Sequence, residues 1–258
     1  MRPSLLAQPK KEDETSVTIY IITHRPLFDE FYASDDSLEQ RWLQTVEVGN
    51  SRCPRSRFVH RHFRLSDLNK YQAMGKRWAE YEAIYNLHIN GLCELSDYTG
   101  FIHYDFYLHN GACSQIRDAI LNKSEFISFS TFEFLSDYRQ KIAMDEREPD
   151  TLVKGGKSCY KKIVEHYNAF FGKEYKVLDL WDKHICLCNA FCMPRDGMAE
   201  LMAFLAWVYE RKLLEGYDFT NRYRAQGGFI ERYVGVYSAF KQIRCVELRH
   251  WYDYPLKN

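Results

Sequence analysis

Apolar and polar positions along the chain alternate between two periods, and the switches between them lay out its elements. Val17-Thr-Ile-Tyr-Ile-Ile22 is a near-continuous apolar run of the length a buried strand needs, and Thr23-His24-Arg25-Pro26 ends it, because proline cannot donate to a strand ladder. Ser37–Val46 reads as a short helix, with an Arg-rich loop around Pro54, over Ser51–Arg57, behind it. Ser66-Asp67 can cap a long helix to about His88, in which Tyr71, Met74, Trp78, Tyr81 and Tyr85 recur at helical spacing as a buried stripe. Tyr98-Thr-Gly100 leads into a strand over Phe101–Leu108, then a helix around Ser114–Asn122 and a strand over Glu125–Ser130. Asp145–Lys157 is polar, carries Pro149 and Gly155-Gly156, and reads as a loop.

Ser158–Phe171 is helical in pattern, and Ile185–Met193 is an apolar run that reads as one strand. Met198, Leu201, Met202, Leu205 and Val208 mark an amphipathic helix. Gly227-Gly228 opens a further helix to about Phe240, and Ile243–Leu248 makes a last strand. Strands and helices that alternate in this way predict an α/β fold, a single domain over residues 16–258 with a mainly parallel central sheet flanked by helices. Met1–Thr15 is mostly polar and reads as a frayed tail.

Composition narrows the function more than the fold. Lys+Arg and Asp+Glu both total 35, so the chain lacks the basic face that nucleic-acid binding needs, and a nucleic-acid partner is disfavoured. The 16% aromatic content, with 19 Tyr and 17 Phe, leads us to expect some rings to face a ligand. The eight cysteines are scattered without a CxxC pair. Cys186, Cys188 and Cys192 sit close enough in sequence to suggest zinc, but their place in an apolar run favours cysteine as a small hydrophobe. Free thiols in this number, the lack of a signal peptide, and a longest apolar stretch (around Leu201–Tyr209) far below the ~20 residues of a membrane span together predict a cytoplasmic protein with no transmembrane segment.

His103 and Asp105 are the informative pair. At i and i+2 on a strand they would share a face, and an imidazole beside a carboxylate is a partial shell for Mn²⁺ or Mg²⁺. The bland alternative is an aromatic-packed strand with one hydrogen-bonded aspartate. Thr23, with His24 and Arg25 beside it, falls just past the first strand, where open α/β sheets bind ligands.

Several stretches resemble the metal-dependent GT-A glycosyltransferases, and more closely the capsular-polysaccharide-type transferases long known as a domain of unknown function. Trp78-Ala-Glu-Tyr-Glu-Ala-Ile-Tyr85 followed by Gly100-Phe-Ile-His-Tyr-Asp105 is similar to that family's CELTALYW…GLCHYRRY pattern. Asn189-Ala-Phe-Cys-Met193, Arg224-Ala-Gln-Gly-Gly-Phe-Ile-Glu-Arg232 and the opening Thr23-His24-Arg25 also match in order. The chain departs from the family where two arginines usually follow His-Tyr, since Asp105-Phe106 stands there.

The resemblance implies transfer of a sugar from a nucleoside-diphosphate sugar, a UDP-sugar, to a hydroxyl of a glycan acceptor. Asp105, His250 and His103 would hold Mn²⁺ or Mg²⁺ on the diphosphate. Glu231 would deprotonate the acceptor hydroxyl in an inverting reaction, with Asp218 and Asp182 in reserve. Thr23, His24, Arg25, Asn189 and Arg224 would bind the donor, Lys157 could add positive charge, and Trp251 and Tyr252 could stack on base or sugar. His250 could equally be a surface histidine, and Glu231 a carboxylate stabilised at a helix start. Metal-assisted hydrolysis at the same His/Asp site, and a degenerate module that only binds nucleotide or glycan, are the alternatives.

Overall fold

A computed structural model describes residues 15–25, 27, 39–49, 61–75, 77–78, 80–108, 111–133, 159–180, 183–186, 188–215, 217, 219 and 225–250. Asp218, Arg224, Lys157, Asp182, Trp251, Tyr252, the Ser51–Arg57 loop, the 145–157 loop and all of the 1–15 tail but Thr15 lie outside the described residues.

The opening apolar run is β1, Val17–Thr23, buried along its whole length. Its alternate side chains go to opposite cores, Ile19 and Ile21 to one and Tyr20 and Ile22 to the other, as the strand period requires. A strand buried on both faces must sit inside the sheet, and β1 pairs in parallel with β2, Leu43–Glu47, and with β4, Tyr98–His103. β3, Arg61–Arg64, extends the sheet beyond β2. On the other side β9, Phe191–Pro194, pairs antiparallel with β4 and with β6, Phe126–Ser128, and β10, Ile243–Cys245, closes that end. The seven strands run in the order β10-β6-β9-β4-β1-β2-β3, parallel except for β9.

One face of this sheet carries α1 (Glu80–Ile89), α3 (Tyr160–Phe171), α4 (Arg195–Glu210) and α5 (Ala225–Ala239), whose buried residues join the Tyr20–Ile22 core. The other face is covered by α2, Ala112–Leu121, through Ile116, Ala119 and Ile120. This is the single-domain α/β architecture, a mainly parallel sheet flanked by helices, that the alternating pattern predicts. Many rings expected to face a ligand go elsewhere, because Tyr167, Phe171, Phe204, Tyr233 and Tyr237 pack on one another between α3, α4 and α5. Among the described residues no helix is long and apolar enough to cross a membrane.

Four elements differ from their sequence reading. The Ser37–Val46 helix is a 3-10 turn, Glu39–Trp42, that gives way to β2; pairing Leu43, Thr45 and Val46 into the sheet interior outweighs a weak helical pattern. The long helix from Ser66 begins only at Glu80. Gly75 takes φ +86, outside the helical region, and Asn86 Nδ2 donates to Gln72 O while Asn86 Oδ1 accepts from Gln72 N, at 2.9 and 2.7 Å. Residues 71–75 are thereby held against α1 instead of extending it. The Phe101–Leu108 strand ends at His103, turns through Tyr104 and Asp105, and resumes as the short β5, Phe106–Tyr107. The Ile185–Met193 run is also two strands, β8 (His184–Cys186) and β9, split by left-handed backbone at Cys188 and Asn189, φ +59 and +49.

Candidate functional site

The order in which the strands are visited creates the site. The chain steps from β1 outward to β2 and β3, then returns to the opposite side of β1 as β4, so the sheet reverses direction of growth between β1 and β4. Crevices outside the carboxyl ends of strands at such a reversal are where open α/β sheets bind ligands. Ile22 and His103 are partners in the register there.

On the β1 side, the Thr23 hydroxyl donates to Arg25 O at 2.5 Å and accepts from Arg25 N at 3.1 Å. Thr23 is fully buried, so its part is to fix the turn that presents the next two residues. His24 packs edge-on to the Tyr104 ring, centroids 4.7 Å apart, and the Arg25 guanidinium lies 5.4 Å from the same ring. Tyr104 N donates to Ile22 O at 3.1 Å, which locks the two turns together.

On the β4 side, His103 follows Phe101 on the face that α5 covers. Its ring is buried, and Nε2 has no hydrogen-bond partner among the described residues. Burial pushes its pKa below the usual histidine range, while the Glu231 and then the Asp105 carboxylate pull it back. The ring is therefore neutral at neutral pH, the form that ligates metals or accepts a proton. Asp105 follows His103 in the turn after β4, and Glu231 acts on the ring from α5. Asp105 lies in the turn after β4, so it does not share a strand face with His103 as the i, i+2 spacing predicts.

The antiparallel direction of β9 places the turn before it at the same edge. Cys188 in that turn feels the same two carboxylates. Burial first, then Glu231 and Asp105, push its thiol up to about 12, against a hydrogen bond with Ser130 that lowers it. A thiol held protonated is a poor nucleophile at neutral pH. Beside it, Asn189 is 1% exposed, and neither its amide nitrogen nor its amide oxygen has a hydrogen-bond partner among the described residues. A buried side-chain amide without partners costs about 1–3 kcal/mol, and the left-handed backbone under it adds strain. Such costs persist where function demands them.

The last described strand, β11 (Arg249–His250), pairs antiparallel with β5, setting His250 opposite Phe106. Its backbone therefore lies one residue from Asp105. Among the described residues no three His, Cys, Asp or Glu side chains are grouped so as to hold a metal ion.

Sequence reasoning missed Tyr104, and it read Cys188 as a small hydrophobe within a strand instead of a turn residue. Tyr104 carries His24 and Arg25, and nothing in its pattern sets it apart from the other tyrosines. Cys188 looked like one more apolar strand residue; the signal was Asn189 after it, since asparagine tolerates left-handed turns.

No protein-family model matches the chain, and no curated protein is similar enough to count as a match. Among solved structures it is similar to an apo structure of WbbM, a bifunctional glycosyltransferase, with a TM-score of 0.51 at 16% identity. The match covers 91% of this chain and 45% of the WbbM chain. The two share a fold, and this chain corresponds to less than half of the WbbM chain's length.

Proposed function

We propose that the chain is a metal-dependent glycosyltransferase that moves a sugar from a UDP-sugar to a hydroxyl of a glycan acceptor, with inversion. The observation that carries the reading is the place of the buried His103, whose Nε2 has no partner among the described residues, with Asp105 in the turn after it, at the reversal point of the sheet. The fold shared with the glycosyltransferase WbbM supports it.

The donor set suits Mn²⁺ or Mg²⁺. His103 offers an imidazole nitrogen and Asp105 carboxylate oxygen, and His250, whose backbone pairs with Phe106, would supply a second imidazole. Such ions are commonly held by one or two protein ligands together with substrate phosphates instead of by a closed protein cage. When bound, the ion supplies Lewis-acid stabilisation of charge on the leaving diphosphate.

The chain's own residues do the rest. Arg25, fixed against Tyr104, adds positive charge to the diphosphate, and Arg224 does the same from the segment before α5. Asn189 donates and accepts with its amide toward the donor, satisfying groups that are otherwise stranded. Glu231 accepts the proton of the acceptor hydroxyl as its oxygen attacks the anomeric carbon from the face opposite the diphosphate. Asp218 is the alternative base.

The test is release of UDP from a panel of UDP-sugars with Mn²⁺, with and without oligosaccharide acceptor. Glu231→Gln should lower acceptor-dependent release by about 10²–10⁴-fold, the usual contribution of a general base, and leave UDP binding intact. Asp105→Asn should abolish the dependence of UDP affinity on Mn²⁺. Calorimetry in which Asp105→Asn binds UDP and Mn²⁺ as the wild type does overturns the reading. Release that is as fast without acceptor would instead indicate hydrolysis.

A further inference from the structure

A cavity opens at the far end of α4. That helix begins at the amino edge of the sheet, where Arg195 pairs with Asp97 at 3.1 Å. Its 16 residues span about 24 Å, which carries its carboxyl end toward the opposite edge. There Trp78, Tyr209, Glu210, Lys212, Glu215 and Gln226 line a cavity of about 350 Å³, within the range of about 300–1,000 Å³ typical of small-ligand sites. Gln226 belongs to α5, five residues before Glu231, so the two are separated by about 7.5 Å along one helix. Gly227 N donates to Arg77 O at 2.9 Å, which pins the start of α5 to the segment that carries Trp78.

The walls define the occupant. Trp78 and Tyr209 meet edge to face, centroids 5.0 Å apart at 86°, and the Tyr209 hydroxyl is held as an acceptor from Gln72 Nε2 at 3.0 Å. Both rings are half-buried, so they combine an apolar surface with a fixed position. Around them stand two carboxylates, an amide and one ammonium, and Lys212 is already shared with Glu215 at 3.5 Å. The local charge is negative, which disfavours a phosphate or any other anion. An aromatic wall that packs against C–H groups, ringed by strong acceptors for hydroxyls, fits a polyol ring.

We propose that this cavity binds an uncharged saccharide unit, a unit of the acceptor that does not itself react. That it serves the acceptor rests on the transferase reading; that it takes a saccharide does not. Binding energy from such a remote unit would hold the reacting hydroxyl near Glu231.

The experiment titrates the full chain, without donor or metal, with the neutral trisaccharides maltotriose, chitotriose and mannotriose, and with choline, followed by saturation-transfer NMR and tryptophan fluorescence. At least one trisaccharide should bind, about tenfold more weakly to Glu210→Gln, which loses a charged acceptor, and not at all to Trp78→Ala. Lys212 occupies the left-handed position that ends α4, φ +55, where glycine is the usual residue. Lys212→Gly therefore relieves strain, and it should melt no lower than the wild type while binding the trisaccharide severalfold more weakly. No binding by any of the three, equal binding by Glu210→Gln and Lys212→Gly, or binding of choline alone would overturn the proposal. Trisaccharide binding with no UDP release by the wild type from any UDP-sugar would sink the transferase reading and leave the saccharide site standing. Loss of activity in Glu231→Gln with no trisaccharide bound would do the reverse.

Discussion

At the scale of single residues, the site holds buried polar atoms without partners among the described residues. Polar groups buried in a folded chain normally find partners, yet His103 Nε2 and both amide atoms of Asn189 have none among the described residues. Asn189 combines this with a left-handed backbone, φ +49, and glycine would accept that conformation without strain. Asn189→Gly should consequently raise the melting point by a few degrees, since about 1 kcal/mol moves it by roughly 2–4 °C in a chain of this size. The same substitution should weaken donor binding by about tenfold, the value of an amide contact to a bound ligand. Isothermal titration with UDP and a thermal melt read the two effects. A lower melting point with unchanged UDP affinity would make Asn189 a structural residue only. The sequence marked His103, Asp105, Glu231 and Asn189 because each sits in a short motif. It could not show how they are placed relative to one another, since Glu231 and Asp105 lie more than a hundred positions apart in the sequence.

At the scale of elements, legibility followed burial. β1, buried on both faces, and α4, with its five-residue apolar stripe buried as expected, were plain in the pattern. β3 was not, because its Arg61-His-Phe-Arg64 side chains lie at the sheet edge and are all half-buried, so its residues alternate weakly. The helices and strands misread in length failed at single residues, Gly75 in one case and Cys188-Asn189 in the other, where local backbone broke a period that the side chains continued.

The β4–β9 pair shows how little slack this leaves. A Cβ on Gly100 would stand 2.7 Å from Phe191 O and 2.8 Å from Cys192 Cβ, atoms fixed by the backbone of the neighbouring strand. Gly100→Ala must push β9 away from β4, which should cost about 1–3 kcal/mol as overpacking does. His103 ends one of these strands and Asn189 precedes the other, so turnover should fall as well, even at temperatures where the variant remains folded. Denaturant unfolding together with UDP-release rates would check both, and wild-type stability in Gly100→Ala would mean that the strands adjust more freely than their packing indicates.

For the whole molecule, the two edges of the sheet are built to different ends. At the amino edge the starts of β1, β4 and α4 are tied together. Asp97 Oδ2 accepts from Ser16 N and Ser16 Oγ at 2.9 and 2.8 Å, Tyr98 N donates to Ser16 O at 3.0 Å, Thr18 Oγ1 and Ser96 Oγ share a bond of 2.7 Å, and Arg195 Nε donates to Ser96 O at 3.2 Å. At the carboxyl edge the polar atoms of His103 and Asn189 are instead left without such ties. If stability is concentrated at the first edge and chemistry at the second, substitutions at the two should separate cleanly. Asp97→Ala loses two hydrogen bonds to a charged acceptor and should cost about 1–3 kcal/mol; its ion pair with Arg195, 31% and 44% exposed, adds little. Below its melting point this variant should bind UDP and Mn²⁺ and turn over as the wild type does. Asp105→Asn should behave oppositely, with an unchanged melting point and no metal-dependent UDP affinity. Melting curves and calorimetry on the same two proteins decide it. Loss of UDP affinity in folded Asp97→Ala would mean that the site depends on the register of the entire sheet, and the division between the edges would fall.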